Sequence, residues 1–169
     1  MIKLQQYRDP WISEKVYNFI GFYPREFYCL DNFSSFKVHY QGTLYSSAEE
    51  AYQAQKFINT APEVYELIKS SLSAHDAQRI ARDNQHLQRA DWDEVKLTIM
   101  EEILTAKVNQ HPYVAKKLLQ TKDYLIVEDS PYDSYWGCGS ERNGKNQLGS
   151  LWMKIRDQLK AEHNYATES

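Results

Sequence analysis

The residues best suited to chemistry lie in one short segment of the sequence. Glu49, Gln53 and Lys56 recur at spacings of four and then three residues, which places them on one face of a helix. A carboxylate can move a proton, an amide can orient a substrate, and a desolvated lysine can act as a nucleophile. A solvated helix face with a capping glutamate explains the same periodicity and is the commoner case. The pattern therefore indicates a site only in combination with a second polar segment.

A long loop from Asp129 to Gln147 is the second candidate. It carries carboxylates, a tryptophan and several glycines, and it follows a short apolar stretch. Such a loop can hold a polar ligand against an aromatic face, because glycine lets the backbone approach closely. Taken alone, the same composition is also typical of a structural loop. The run Gly144-Lys145-Asn146 lacks the upstream glycine and the following Ser or Thr of a Walker sequence, so no standard phosphate loop is predicted.

Metal-dependent and triad-type chemistry find little support in the sequence. The five histidines are scattered without the spacing of metal ligands, and no GxSxG motif occurs. We therefore expect a site without a metal and without a cofactor. Cys29 and Cys138 form no CxxC pair, which favours free thiols in a reducing compartment.

Composition predicts one ordinary globular domain in water. The chain has 169 residues, of which 42% are hydrophobic and 25% charged, which argues against a membrane protein and against a disordered one. A net charge of -3 gives no electrostatic footprint for duplex nucleic acid. The N-terminus lacks an apolar leader segment, so a cytoplasmic location without membrane association is expected. The oligomeric state is left open.

The elements that must position these residues are mostly helices. Capping patterns and apolar periodicity predict an α-rich α+β fold, a single domain of about six helices with a few short strands. One clear apolar stripe comprises Trp92, Val95, Ile99, Ile103 and Ala106 and is expected to face the core. Helices are expected at residues 47–59, 62–70, 73–81, 91–106, 112–119 and 148–159, and strands at 37–41, 43–45 and 124–128.

Three blocks of sequence carry a family resemblance. They read SAEEAYQAQKF at Ser47–Phe57, VEDSPYDSYWG at Val127–Gly137 and GKNQLGSLWMKIR at Gly144–Arg156. In order and spacing they resemble the signature blocks of the NADAR family, the YbiA-like proteins. A weaker match is LDNF at Leu30–Phe33, near the family's FSNF. The resemblance covers roughly Phe19 to Leu159.

The resemblance implies an N-glycosidase that acts on a ribose C1 to exocyclic nitrogen bond. The implied substrates are ribosylamino-pyrimidine phosphates of riboflavin biosynthesis or ADP-ribosylated guanine. The partner is then a small nucleotide-like molecule or an ADP-ribosylated guanine base. The domain is expected at residues 19–160, between an N-terminal extension at 1–18 and a C-terminal tail at 161–169.

The resemblance also carries site residues onto this chain. The family's acid, amide and lysine fall on Glu49, Gln53 and Lys56, the residues that helical spacing already groups. The chain departs from the family in reading Ala48-Glu49-Glu50 where members often read SEH. In the C-terminal blocks the carried positions are Glu128, Asp133, Trp136, Gly137, Gly144, Asn146 and Gly149.

Two mechanisms fit this set of residues. Cleavage needs a carboxylate near C1 and a proton donor near the leaving nitrogen, and we expect Glu49 and Asp133 to form that pair. Alternatively, Lys56 forms a Schiff base with the ring-opened sugar. The expected substrate-binding residues are Phe22 and Trp136 stacking on the base, Arg25, Lys145 and Asn146 holding phosphate, and Asn32, Gln53, Glu128 and Gly137 completing the site.

Two other classes of protein remain open. A module that binds ADP-ribose or a nucleotide without turnover needs the same pocket. A helical interaction protein explains the amphipathic helices but not the polar face and the glycine-rich loop. The enzyme hypothesis requires that the face of Glu49 and Lys56 meets the loop of Asp133 and Trp136 in one cleft.

Overall fold

The computed structural model describes residues 5–8, 16–22 and 26–167, with side chains described at 19–22 and 26–163. In this part of the chain, six α-helices and five short strands form two compact units. One unit is Asn32–Pro112, and the other combines Met1–Asp31 with Tyr113–Ser169. The predicted α-rich α+β class, with about six helices and a few short strands, is confirmed.

The unit Asn32–Pro112 is built around one short helix. Helix α1 (Ala48–Gln55) packs against α2 (Pro62–Lys69), α3 (Ala74–Asp83) and α4 (Trp92–Gln110), and all of its residues are buried. A helix in this position has no solvated face, whatever the polarity of its side chains. The placement of α1 therefore decides the environment of every polar residue that it carries.

Local hydrogen bonds determine where α1 begins. The Ser47 hydroxyl accepts the Glu50 backbone N–H at 3.1 Å, and Glu50 Oε2 accepts the Ser46 N–H at 2.6 Å. These bonds form the capping pattern that the sequence predicts. The Glu49 N–H, which no residue within the helix can accept, donates to the Asn32 carbonyl oxygen at 3.0 Å. The first turn of α1 is thereby fixed to the segment that precedes the hairpin.

A small hairpin and the long helix complete this unit. Strands β3 (Val38–Tyr40) and β4 (Thr43–Tyr45) pair antiparallel around a two-residue turn, Gln41-Gly42, whose φ angles are both positive. This geometry is that of the tight turns that suit the twist of a hairpin. Helix α4 packs against β3. Its buried apolar face includes Trp92, Ile99 and Ile103 as predicted, while Val95 and Ala106 are only half-buried.

The other unit is a three-stranded sheet with two helices. Its strands β1 (Gln5–Arg8), β2 (Val16–Gly21) and β5 (Leu125–Val127) lie in the order β1-β2-β5, the first pair antiparallel and the second parallel. Helix α6 (Gln147–Thr167) packs on β5. Helix α5 (Pro112–Gln120) belongs to this unit except for its first residue, Pro112, which is the last residue of the unit Asn32–Pro112.

Strand β1 and the start of β2 lie within residues 1–18, which are expected to be an N-terminal extension. The bounds of the domain stay a prediction. Helix α6 continues to Thr167, beyond the expected end near residue 159. Among the described residues, no helix is both long and apolar enough to span a membrane.

Candidate active site

Glu49 and Gln53 form a buried pair on helix α1. Each is only 5% exposed, and Gln53 Nε2 donates a hydrogen bond of 2.7 Å to Glu49 Oε1. The pair follows from the spacing of four residues, which stacks one side chain above the other on a helix. The alternative explanation, a solvated helix face, is therefore wrong for these two residues. Buried polar groups need partners, so this face is a site or a polar network within the core.

Lys56 lies at the C-terminal end of α1 against two aromatic rings. Its Nζ is 5.5 Å from the centroid of the Tyr52 ring and 5.4 Å from that of Trp92, and the two ring centroids are 4.9 Å apart. The Lys56 carbonyl oxygen accepts the Arg89 backbone N–H at 2.9 Å. The lysine is thus held at both its backbone and its ammonium group.

Burial lowers the pKa of Lys56 from its usual value. Removal from water is the largest cause, the Glu49 carboxylate opposes it by favouring the charged form, and the neighbouring Lys96 lowers the pKa further. A lysine with a lowered pKa has a larger neutral fraction near neutral pH, and the neutral amine is the nucleophile. Lys56 therefore has the environment of a reactive amine.

Asn32 lies at the start of the same site. It is 5% exposed, its carbonyl oxygen holds the Glu49 N–H, and its Nδ2 donates to Met100 Sδ at 3.3 Å. Within the described part of the chain, Asn32 Oδ1 and Gln53 Oε1 are buried oxygens without a hydrogen-bond donor. Native buried polar atoms of this kind are uncommon and require an explanation, a bound ligand being one.

The aromatic residues around Lys56 were not among the predicted site residues. Tyr52 precedes Lys56 by four residues, a spacing that could have indicated contact on one helix face. Trp92 was assigned to the core stripe of α4, and it does lie there at 5% exposure while its ring also faces the lysine. No local signal in the sequence pairs Trp92 with Lys56, since the contact joins α1 and α4, which are well separated along the chain.

Asp133 organises its own loop. Its Oδ1 accepts the backbone N–H groups of Tyr135 at 2.8 Å and of Trp136 at 2.7 Å. Trp136 is half-buried, with its ring edge-on to Tyr135 at a centroid distance of 5.0 Å. Lys145 Nζ lies 5.4 Å from the centroid of the Tyr135 ring. The structure therefore brings together three of the predicted site residues in this loop, Asp133, Trp136 and Lys145.

The loop is held together mainly by its own backbone. Cys138 N–H donates to the Glu128 carbonyl at 2.9 Å, and Asn146 N–H donates to the Gly137 carbonyl at 3.1 Å. A Cβ on Gly137 would lie 2.9 Å from the Asp133 and Glu128 carbonyl oxygens, too close for a side chain. This glycine thus allows chain segments to pack against each other, and its predicted contact with substrate stays a prediction.

Asn146 acts as a bridge between the loop and strand β5. Its Oδ1 accepts the Glu128 N–H at 2.9 Å, and its Nδ2 donates to the Ile126 carbonyl at 2.9 Å. Both ends of the amide are therefore engaged by the backbone, which assigns Asn146 a positioning role; its predicted contact with phosphate stays a prediction. Glu128, next to it, is 7% exposed.

Two further predicted residues cannot be placed in a site. Phe22 is 0% exposed, and its N–H donates to the Val127 carbonyl at 3.4 Å, so its ring belongs to the interior and offers no face to a base. Arg25 lies outside the described residues. In the described part of the chain, no group of three or more His, Cys, Asp or Glu side chains could hold a metal ion.

The predicted site residues thus form two sets. Asn32, Glu49, Gln53 and Lys56 lie together in one compact unit. Glu128, Asp133, Trp136, Gly137, Lys145 and Asn146 lie together in the other. The meeting of the two sets in one cleft stays a prediction.

Comparison with known proteins identifies relatives over most of the chain. Residues 11–160 match the NADAR domain. An N-glycosidase of Nostoc punctiforme is 38% identical over 133 residues, which cover 78% of this chain and 85% of that protein. The N-glycosidase YbiA of Escherichia coli is 37% identical over 132 residues, which cover 78% of this chain and 81% of YbiA.

The fold is similar as well. The NMR structure of E. coli YbiA matches this chain with a TM-score of 0.78 and 34% sequence identity, covering 86% of each chain. A chloroplastic riboflavin biosynthesis protein of Zea mays, PYRR, is 32% identical over 166 residues, which cover 89% of this chain and 27% of that protein. The resemblance stated from the sequence blocks is confirmed: the chain belongs to the NADAR domain family.

Proposed function

We propose that this protein hydrolyses the bond between ribose C1 and an exocyclic nitrogen. The proposed substrates are ADP-ribosylated guanine and a ribosylamino-pyrimidine phosphate, which share this bond. The enzyme class, a glycosyl hydrolase, is confirmed by relatives that are named N-glycosidases. A cytoplasmic reaction is part of the proposal, supported by the two buried free thiols.

The observation that carries the proposal is the environment of Lys56. A partly desolvated amine with a lowered pKa lies against two aromatic rings and interacts with the buried Glu49 carboxylate. A surface lysine can lie over an aromatic ring, but it does not combine this contact with desolvation and a buried carboxylate. These features suit an amine that attacks an electrophilic carbon, together with a carboxylate that transfers protons.

The reaction then proceeds through an imine of the sugar. The nitrogen lone pair opens the ribose ring by breaking the bond from C1 to the ring oxygen, which takes up a proton, and C1 becomes an imine carbon. Neutral Lys56 adds to C1, a proton moves to the substrate nitrogen, and the free base amine leaves. Water adds to the resulting Lys56 imine, and loss of the lysine releases the sugar, which closes its ring. The sum is substrate plus water giving amine plus sugar, with Glu49 moving the protons.

Direct attack of water, with Glu49 and Asp133 as the acid and base pair, is the second candidate mechanism. It uses the carboxylates but gives the desolvation of Lys56 no role. Asp133 Oδ1 already accepts two backbone N–H groups, which suits a residue that shapes the loop. The contacts of Lys56 and those of Asp133 therefore both favour the lysine route.

Turnover with a chemical trap tests the function. Pure protein is incubated separately with an ADP-ribosylated guanine oligonucleotide and with a ribosylamino-pyrimidine phosphate, and the released sugar is followed by mass spectrometry. We expect release from at least one substrate, loss of release in Glu49→Gln, and a borohydride-stable adduct that disappears in Lys56→Met. Binding of either compound without release would contradict an enzyme and favour a binding module.

Lys69→Met is the matched control. Lys69 also lies over an aromatic ring, 5.2 Å from the centroid of Tyr65, but it pairs with Glu66 at the surface and is outside the candidate site. We expect both adduct and turnover to survive this change. An adduct that persists in Lys56→Met would assign the Schiff base to another lysine, and turnover without any adduct would favour the water route.

A further inference from the structure

Gln53 has a buried side-chain oxygen for which the described residues supply no hydrogen-bond donor. The side chain is 5% exposed, its Nε2 is bonded to Glu49 Oε1 at 2.7 Å, and its Oε1 has no partner in the described part of the chain. Leaving a buried acceptor unpaired is costly, so such an atom usually has a purpose. Gln53 is thus bonded to the proposed proton-transfer group, Glu49, on a helix whose residues are all buried.

The orientation of this amide follows from its neighbour. An ionised carboxylate only accepts hydrogen bonds, so it must face the amide NH₂, which leaves Oε1 directed elsewhere as an acceptor. The other orphan oxygen, Asn32 Oδ1, differs because its amide is held only by a thioether, a weak acceptor that determines no orientation. Of the two amides, Gln53 is therefore the one whose unpaired oxygen has a fixed orientation and can accept a hydrogen bond from an O–H or N–H donor.

We propose that Gln53 Oε1 accepts a hydrogen bond from the 2′-hydroxyl of the ribose, an inference that rests on the proposed function. This hydrogen bond makes the enzyme selective for ribosyl over 2′-deoxyribosyl bonds. Two donors lie beside C1, the substrate N–H and the 2′-hydroxyl. The nitrogen must gain a proton as it leaves, a need that an acceptor cannot meet. The 2′-hydroxyl remains a donor throughout the reaction, and its hydrogen bonds strengthen as positive charge develops at C1.

The selectivity would matter on a nucleic acid substrate. A guanine in DNA that carries ADP-ribose has two sugar C1 to nitrogen bonds on one base, one to ribose and one to the deoxyribose of the backbone. Only the ribose offers a 2′-hydroxyl. An enzyme that requires this hydrogen-bond donor therefore cleaves the bond to ADP-ribose and leaves the base attached to its strand.

A comparison of two substrates and two variants tests the proposal. The substrates carry the same leaving amine on ADP-ribose or on its 2′-deoxy counterpart, and the proteins are wild type, Gln53→Met and Gln55→Met. We expect Gln53→Met to lower kcat/KM about tenfold or more on the ribosyl substrate and to leave the deoxy substrate almost unchanged, since a site built for a hydroxyl loses most when one partner is missing. Gln55, equally buried at 3% exposure and bonded to the Tyr45 hydroxyl, serves as the control whose variant keeps the wild-type ratio.

The possible outcomes are distinct. Equal losses on both substrates in Gln53→Met, or a wild type that cleaves both equally well, would overturn the assignment of the 2′-hydroxyl while leaving the glycosidase intact. A wild type that cleaves neither these substrates nor the ribosylamino-pyrimidine phosphate overturns the proposed function itself. If it cleaves the ribosylamino-pyrimidine phosphate alone, the same comparison is made with the ribosyl and 2′-deoxyribosyl forms of that compound, and the same two outcomes apply. Should Gln53→Met fail to fold, calorimetric binding of ADP-ribose and 2′-deoxy-ADP-ribose to the wild type decides, with at least about tenfold tighter binding of ADP-ribose expected and equal binding contradicting the proposal.

Discussion

At the scale of single residues, three influences act on Lys56 and do not all have the same sign. Desolvation and Lys96 favour the neutral amine, and Glu49 favours the ammonium form. A nucleophilic amine needs to be neutral to attack and charged to be released from its product as a good leaving group. Desolvation therefore enlarges the neutral fraction of Lys56, and the Glu49 carboxylate limits this change.

A pH profile of Lys96→Met tests this balance. In the wild type, kcat should rise with pH through the lowered pKa of Lys56, because the neutral amine attacks. Removal of the like charge of Lys96 raises that pKa toward the ordinary lysine value, so the rising limb should move to higher pH. The activity at pH 7 should fall by a corresponding factor.

The control for this profile keeps the Lys96 charge. Asp93→Asn removes the ion-pair partner of Lys96, which lies at 2.6 Å and is 86% exposed, but leaves the ammonium group in place. We expect its profile to stay close to wild type. A Lys96→Met limb that moves to lower pH, or does not move, would contradict the lysine as the group that titrates.

Part of the site could be predicted from the residues themselves. The common face of Glu49 and Gln53 follows from helical spacing, and the hydrogen bond between them confirms it. Their burial could not be predicted, because a carboxylate and an amide on one helix face look the same in sequence whether solvent or another helix covers them. Phe22 shows the opposite error, since an aromatic residue near the site blocks was assigned to substrate while the fold places it inside.

At the scale of elements, the N-terminal cap of α1 links stability to function. Ser47 is 4% exposed, and its hydroxyl holds the Glu50 N–H in the turn that carries Glu49. Ser47→Ala should reduce the free energy of unfolding by about 1 kcal/mol or more and should also lower kcat/KM, because the first turn loosens. Chemical denaturation and turnover measured on the same sample check both effects.

Ser73→Ala separates the two effects. Ser73 caps α3 in the same way, with its hydroxyl accepting the Asp76 N–H at 3.1 Å, but α3 carries no candidate site residue. We expect a comparable loss of stability, about 1 kcal/mol, with unchanged kcat/KM. Equal activity losses in both variants would mean that the cap of α1 affects turnover only through global stability.

The start of α6 gives a prediction against the usual helix propensity. An alanine in place of glycine in a helix commonly stabilises by up to about 1 kcal/mol. At Gly149, however, a Cβ would clash with the Ile126 carbonyl oxygen and with the Asn146 side-chain amide. Gly149→Ala should therefore destabilise the fold by about 1 to 3 kcal/mol, measured by denaturant unfolding. Stabilisation would show that α6 can shift away from β5.

Local signals explain which elements were predicted. The helices have caps and apolar periodicity within their own sequence, so their approximate positions followed. Strand β2 pairs in parallel with β5, whose residues lie more than a hundred positions later, as in the match of Phe19 with Leu125. Nothing within residues 5–21 indicates this partner, and short strands of this kind depend on tertiary contacts more than on local propensity.

At the scale of the whole molecule, the chain order constrains folding. The unit Asn32–Pro112 is continuous, whereas the other unit needs two segments that flank it. Both cysteines, Cys29 and Cys138, are 4% exposed in the discontinuous unit, and burial together with Asp129 raises the pKa of Cys138. Their thiols therefore report on that unit, and amide exchange in α4 reports on the other.

Pulsed labelling along a denaturant series compares the two units. We expect no reaction of either thiol in the native protein, and we expect thiol labelling and amide exchange in α4 to share one transition midpoint, as in a single cooperative domain. Thiol exposure at a lower denaturant concentration than exchange in α4 would contradict this. If the midpoints differ, the labelled peptides, identified by mass spectrometry, show which unit opens first.

The hydrogen bond from Arg89 to the Lys56 carbonyl has a consequence for divergence among relatives. Lys56, the proposed nucleophile, terminates its helix and is anchored there by the connection between α3 and α4, a segment that itself carries no candidate site residue. Insertions or replacements in that connection would shift where the amine reaches while conserving every group expected to contact substrate. Substrate preference can thus change through substitutions outside the site. Two relatives with identical site residues need not share one preferred substrate.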